Sequence, residues 1–280
     1  MSAGALVVVS TPIGNLGDLS PRAVEALAGA DVIACEDTRH TRKLLSHAGV
    51  ATPELLAVHD HNESAQVRHV LGLVERGRTV AVVTDAGTPG IADPGQRLVA
   101  AVAAAGQRVE VVPGPSALIA ALVASGLPTH RFCFEGFLPR KGGERASRLA
   151  AVAAARTTTV LYEAPHRVRR TVAALVEACG PRRRVVVARE LTKLHEEVWR
   201  GTLGAAGAHL DATEPRGEYV LVLDGSPPPP PPTEDDIRRE VQEHLDTGVD
   251  RRAAVAAVAA DLDVPRRQVY GIAVGMRPSS

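Results

Sequence analysis

An α/β fold is predicted for this 280-residue chain from three observations. Short β-branched runs alternate with helix-patterned stretches through the first 113 residues, a second set of strand runs follows, and 45% of the residues are apolar, enough to fill a sizeable core. The first half carries strand runs at 5–10, 31–35, 55–58, 79–84 and 108–112. Between them 21–28 reads as a helix, with Ser20 as N-cap and Pro21 at its first position, and 63–76 reads as another. Such alternation predicts a mostly parallel layer. After Pro113 the texture changes: 116–125 is a connecting helix, and strand runs follow at 131–134, 158–162, 184–188, 196–200 and 217–223. The late runs have no helices between them, which predicts a mixed sheet. The proline tract at 227–232 can only be an extended spacer. Beyond it 234–245, 251–260 and 266–274 read as three short helices, either a helix-turn-helix appendage or a tail packed on the body or on a second subunit. The predicted organisation is an N-terminal α/β domain (1–113), a C-terminal α/β domain (114–224), a linker (225–232) and a helical appendage (233–280).

Formal charge balances at zero, so any surface for a polyanion has to be a local patch. Only Lys43, Lys141 and Lys193 are lysines; the arginine and alanine bias is that of a GC-rich genome and says nothing about partners. Cys35, Cys133 and Cys179 are odd in number and far apart, so they give neither a disulfide framework nor a metal pair and are expected as buried thiols. No N-terminal stretch combines a basic start, an apolar run and a cleavage site, and no apolar run reaches the roughly 18 residues of a membrane helix. A cytoplasmic protein is expected.

Four turns that follow strand runs are chemically unusual: STPIGN at 10–15, DAGTPGIADPG at 85–95, PGPSA at 113–117 and EAPHR at 163–167. In an open α/β sheet, ligands collect at the carboxyl ends of the strands. Glycine lets backbone approach a ligand closely, and proline reduces the entropy lost when a loop orders. Neither GxxxxGK[ST] nor GxGxxG occurs at these turns, which excludes a P-loop and argues against a dinucleotide site. Asp85 sits where a carboxylate can accept hydrogen bonds from an amino or ribose group or favour a cation. His59-Asp60-His61 with Glu63 has the alternation that puts two imidazoles on one face of a strand, but no third ligand is evident, so no metal is expected; Asn62 is expected to cap the next helix.

STPIGNLGDLS (10–20), CEDTRHTRKLL (35–45), HDHNE (59–63), TDAGTPGIADPG (84–95), VPGPSA (112–117), FEGFLPRKGGER (134–145), YEAPHR (162–167), ARELTKLHEE (188–197) and GEYVLVL (217–223) together resemble the small-subunit ribosomal RNA methyltransferase I family. The resemblance runs in register from about Ser10 to Leu223. It implies the tetrapyrrole-methylase fold (class III S-adenosylmethionine methyltransferase), a homodimer, and 2'-O-methylation of a cytidine ribose in bacterial 16S rRNA. Carried over residue by residue, the cofactor site comprises Pro12, Asp85, Gly87, Ile91, Ala92, Ser116 and Ala117, with Tyr162 or Ala164 from the second domain. A ribose hydroxyl is a weak acid, so a base or a cation should assist the displacement; Glu190, Lys193 and His166 are the candidates, or else they form an ion pair or contact phosphates. The cations inside the motifs, Arg39, His40, Arg42, Lys43, Arg140, Lys141, Arg145, Arg167 and Arg189, are the candidate RNA contacts. Aromatics make up only 2% of the chain, so phosphate contacts should outweigh base stacking. Two alternatives stay open: a porphyrin-precursor C-methylase of the same superfamily, and a non-catalytic RNA-binding assembly factor.

Overall fold

In the computed structural model, which describes residues 4–212, 214–228 and 231–277, the chain divides into a unit of residues 1–226 and a unit of residues 227–280. The first unit holds two five-stranded sheets. Strands β1 (Ala5–Val9), β2 (Val32–Cys35), β3 (Glu54–Ala57), β4 (Thr79–Val83) and β5 (Arg108–Val112) lie in the order β3-β2-β4-β1-β5, all parallel. Helices α1 (Pro21–Ala28), α2 (Thr38–His47), α3 (Glu63–Glu75) and α4 (Gln96–Ala104) return the chain over both faces. Alternation along the strands decides which side chain meets which helix. Val7, Ile33, Ala81 and Val83 pack with Leu27, Leu44 and Leu45 of α1 and α2, whereas Leu6, Val32, Val80 and Val82 pack with Val70, Leu73, Leu98 and Val102 of α3 and α4. A sheet covered on both faces needs apolar residues at every position, which is why the inner strands β1, β2 and β4 show no polar alternation, whereas the edge strands β3 and β5 carry Glu54, Arg108 and Glu110. α1 begins where the sequence places it, with the Ala23 N–H donating to Ser20 Oγ.

α5 (Ala117–Ser125) leads into the second sheet, whose strands β6 (Phe132–Phe137), β7 (Thr158–Glu163), β8 (Arg184–Arg189), β9 (Glu197–Thr202) and β10 (Tyr219–Leu223) lie in the order β6-β7-β10-β8-β9. β6 and β7 are parallel and the other pairs antiparallel, the mixed sheet expected, although residues 203–211 between β9 and β10 are helical where no helix was expected. α5 buries Ala121 and Leu122 against Val160, Val186, Val220 and Val222. On the opposite face α6 (Gly142–Ala154), α7 (Pro165–Cys179) and α8 (Leu203–Asp211) set Val152, Val168, Leu175 and Leu203 against Leu161, Val187 and Leu221. Ile13, from the turn after β1, belongs to the α5 side of this core, so a loop of the first sheet is anchored in the packing of the second. Tyr219 pairs with both Glu163 and Arg189, which brings the end of β7, the start of β10 and the end of β8 to one edge.

Two expectations are corrected. Cys35 is buried, but Cys179 is only partly so and Cys133 is exposed, because β6 is an edge strand with one side open to solvent. β3 ends at Ala57, so His59, Asp60 and His61 lie in a turn and do not alternate along a strand. Asn62 occupies the N-cap position of α3, yet its side chain staples that turn, accepting from the His59 N–H at 2.8 Å and donating to the Ala57 carbonyl at 3.0 Å.

The second unit packs α9 (Glu234–Asp246), α10 (Arg251–Asp261) and α11 (Arg266–Ala273) around Ile237, Val241, Leu245, Val258 and Val269. Thr233 and Asp236 start α9 with a capping box. Of the proline tract, Pro229 and Pro230 lie outside the described residues. Among the described residues no helix is long and apolar enough to cross a membrane.

Candidate active site

β1 and β4 are neighbours, so the turns at their carboxyl ends meet. Thr11 and Gly87 exchange backbone hydrogen bonds of 2.8 and 3.1 Å, and the hydroxyls of Ser10 and Thr88 lie 3.0 Å apart. Gly87 and Gly90 hold φ of 80° and 84°, left-handed values that glycine adopts without a Cβ penalty. The far end of the 85–95 loop is closed from a distance. Glu63 is buried, and its Oε1 accepts from the N–H groups of Gly95 and Arg97 at 2.9 Å each and of Leu98 at 3.4 Å. α4 therefore starts on a cap supplied by the first residue of α3, because Gly95 has no side chain to supply one.

Between this loop and the facing edge of the second sheet lies a cavity of about 390 Å³. Asp85, Gly87, Ile91, Ser116, Ala117, Tyr162 and Ala164 all line it. The Tyr162 hydroxyl accepts from the Leu118 N–H at 2.9 Å, tying the end of β7 to the first turn of α5. Phe134 and Phe137 meet the Tyr162 ring edge-on, with centroids 4.9 and 5.8 Å away. The wall is acidic: Glu36, Asp85, Asp93, Glu163 and Glu218 line it, and no Lys, Arg or His does among the described residues. Burial, reinforced by the charges of Glu36, Asp60, Asp85 and Glu218, pushes the Asp93 carboxyl up to about 7. Burial and the Asp85 charge likewise raise Glu36. Burial raises the Tyr162 phenol. Asp85 is held in place by the Asp37 N–H, which donates to its Oδ1 at 3.2 Å.

The other candidates lie outside the first cavity. Pro12 lines an adjoining cavity instead. Ala92 is exposed and does not line the first cavity; its φ of 62° turns the chain so that the next residue, Asp93, does. Glu190 and Lys193 form an ion pair, Nζ to Oε1 2.8 Å, which Glu218 joins at 2.8 Å. Burial opposes the charge on Glu190, but the hydrogen bonds from Lys193 and from the Glu218 N–H prevail and hold its carboxyl below the ordinary range. Burial likewise works against the charge on Lys193, yet its bonds to the two glutamates hold the ammonium above its ordinary range. A carboxylate made less basic and an ammonium that keeps its proton are poor bases. His166 is exposed on the first turn of α7 and lines neither cavity.

The cations divide the same way. His40 and Lys43 are exposed on α2, and Arg140 and Lys141 are exposed at the turn between β6 and α6. Arg39 is turned back onto Asp37, the N-cap of its own helix, at 2.8 Å. Arg145 is buried and donates to the Pro139 carbonyl at 3.0 Å and the Thr171 hydroxyl at 3.4 Å. Arg167 pairs at 3.2 Å with Glu163, whose side chain is fully buried, and also donates to the Leu138 carbonyl. Arg189 pairs with Glu197 at 3.3 Å. Arg145, Arg167 and Arg189 thus each have a partner within the protein. Arg145→Ala should cost about 2 kcal/mol of stability, read as a lower urea midpoint, and leave RNA affinity unchanged.

The chain matches the family model of the Tetrapyrrole (Corrin/Porphyrin) Methylases over residues 5–207. It is 47% identical over 273 residues to the ribosomal RNA small subunit methyltransferase I of Synechocystis sp., covering 97% of this chain and 98% of that protein. A uroporphyrin-III C-methyltransferase structure from Thermus thermophilus superposes with a TM-score of 0.57 at 25% identity, covering 79% of this chain and 94% of that one. A second structure of the Thermus thermophilus enzyme, complexed with S-adenyl homocysteine, gives a TM-score of 0.54 at 22% identity, covering 79% and 96%. The chain therefore belongs to the ribosomal RNA small subunit methyltransferase I family, S-adenosylmethionine-dependent methyltransferases of the tetrapyrrole methylase fold.

Proposed function

We propose that this protein methylates the 2'-oxygen of a cytidine ribose in the 16S rRNA of the small ribosomal subunit. The observation that carries this reading is the acidic cavity at the carboxyl edge of β1 and β4, in a chain so similar to ribosomal RNA small subunit methyltransferase I. S-adenosylmethionine supplies a methyl carbon already activated on a cationic sulfonium. Glu36, Asp85, Asp93 and Glu218 favour a cation in that cavity, while Ile13, Ile91, Phe137 and Leu191 cover apolar surface. Asp85, Gly87, Ile91, Ser116, Ala117, Tyr162 and Ala164 hold the donor.

Asp93 accepts the ribose hydroxyl proton at its carboxylate and passes it to water. It lines the cavity, and its acidity is poised near 7, where a base is both free to accept a proton and strong enough to do so. The two sheets act as separate domains, 1–113 and 114–224, with 225–232 as linker and 233–280 as appendage. A homodimer is supported by exposed apolar side chains at Val111, Ile119, Val123 and Phe132. The cytoplasm, where ribosomes assemble, is its place of action.

The test uses small subunits from cells lacking the protein, with methyl-labelled S-adenosylmethionine. Label is expected on a cytidine ribose after nuclease digestion and mass mapping. Label on a porphyrin precursor instead, or RNA binding without transfer, would overturn the reading in favour of the C-methylase or the assembly factor. Asp85→Ala is expected to weaken S-adenosylmethionine binding about tenfold to a hundredfold by calorimetry, the loss of one charged contact in a partly dry site; unchanged affinity would remove Asp85 from the binding set.

A further inference from the structure

A second cavity of about 560 Å³ adjoins the first and shares Ile13, Asp85, Ala86 and Glu218 with it. Its remaining wall differs in charge. His40 and Lys43 of α2 line it, together with Lys193. Lys193 is neutralised by Glu190 and Glu218. His40 and Lys43 are three residues apart, which puts them on one face of α2. Both are exposed, and among the described residues neither is ion-paired. Gly14 also lines it, against Lys193: a Cβ there would stand 2.4 Å from Lys193 Cγ, so glycine lets the turn after β1 lie against that side chain.

We infer that this second cavity is the subsite for the acceptor, one RNA nucleotide swung out of its strand, with a flanking phosphate on Lys43 and His40 and the ribose directed across the shared wall into the first cavity, which Asp93 lines. The inference rests on the ribose methyltransferase reading above and adds to it where the RNA enters. Chemistry on a nucleotide inside folded RNA requires that the nucleotide leave its stack, and a hollow of several hundred Å³ takes one nucleoside. Charge sets its orientation. Phosphate is repelled by Glu36, Asp85, Asp93 and Glu218 and attracted to the wall that carries His40 and Lys43, so the uncharged sugar is the part that can approach the acids. The division also keeps phosphate out of the cavity that holds the cationic donor.

The test measures methyl transfer to unmodified small subunits and, separately, S-adenosylmethionine affinity by calorimetry, for the full-length wild type, Lys43→Ala, His40→Ala/Lys43→Ala and Leu16→Trp. Leu16 is exposed at the rim of the second cavity, and Trp there fills it from outside. Lys43→Ala is expected to raise KM for the subunit about tenfold, to flatten the salt dependence of log KM by about one phosphate contact, and to leave donor affinity as it was. The double variant should exceed it, and Leu16→Trp should also raise KM with donor affinity intact. Wild-type KM and salt slope in both cation variants would overturn the subsite while leaving the methyltransferase reading standing. Loss of donor affinity in Leu16→Trp equal to its loss of transfer would do the same, since the two hollows would then be one donor site. No transfer by the wild type would sink the underlying reading itself.

Discussion

Asp93→Asn is expected to lower kcat for methyl transfer by about 10²- to 10⁴-fold, the range for removing a positioned general base, while the protein still folds. Wild-type kcat/KM for S-adenosylmethionine, which reports the free enzyme, should rise with pH and reach half its plateau near 7, because Asp93 has to lose its proton before it can accept one and its carboxyl is pushed up to about 7. The inflection should vanish in the Asn variant. Stability gives an independent readout with its own sign. The folded-state value stands above the ordinary 3.8, so between these two pH values the folded protein keeps a proton that the unfolded chain releases, and stability falls as pH rises through that window. Asn cannot ionise, so the variant should melt at a higher temperature than wild type at pH 8 and show little difference at pH 4. A variant with the wild-type pH profile and near-wild-type kcat would show that the proton goes elsewhere.

Glu63→Ala should damage both stability and donor binding although Glu63 does not line the cavity. It strips an acceptor from three backbone N–H groups at Gly95, Arg97 and Leu98, and charge-assisted bonds of this kind are worth about 1.5–3 kcal/mol each before compensation by water. A loss of about 3 kcal/mol is expected, read as a lower urea midpoint, together with weaker S-adenosylmethionine binding because the 85–95 loop loses its far anchor. Glu63→Gln keeps one side-chain carbonyl oxygen as acceptor and should recover most of both. Glu63→Ala with wild-type midpoint and affinity would mean that the loop holds its shape without the cap.

Glu63 also marks a limit of reading the sequence. Its partners lie 32 to 35 residues further along, so nothing local distinguishes it from any first-turn acid of a helix. The 85–95 loop was legible because glycine and proline at this density announce special backbone whatever the tertiary structure. The parallel sheet was legible because strands buried on both faces carry unbroken apolar runs, and α1 because Ser20 and Pro21 satisfy its first turn locally. A helix such as α8, rich in alanine and glycine, carries a weak pattern of its own and is settled by packing on the second sheet. Cations misled: in sequence, an arginine that holds Pro139 O or Glu163 looks the same as one that holds phosphate, so Arg145 and Arg167 joined the RNA set while their burial was invisible. Asp93 was passed over for the opposite reason. Within Ala92-Asp93-Pro94-Gly95 it reads as turn chemistry, and only the fold surrounds it with Glu36, Asp60, Asp85 and Glu218.

Titration calorimetry of S-adenosylmethionine into the folded full-length protein tests the donor cavity most directly. One saturable site per chain, weakened in Asp85→Ala and untouched in Lys43→Ala, is expected. No saturable heat from protein that melts cooperatively would contradict the assignment of the space between the two sheets to the methyl donor.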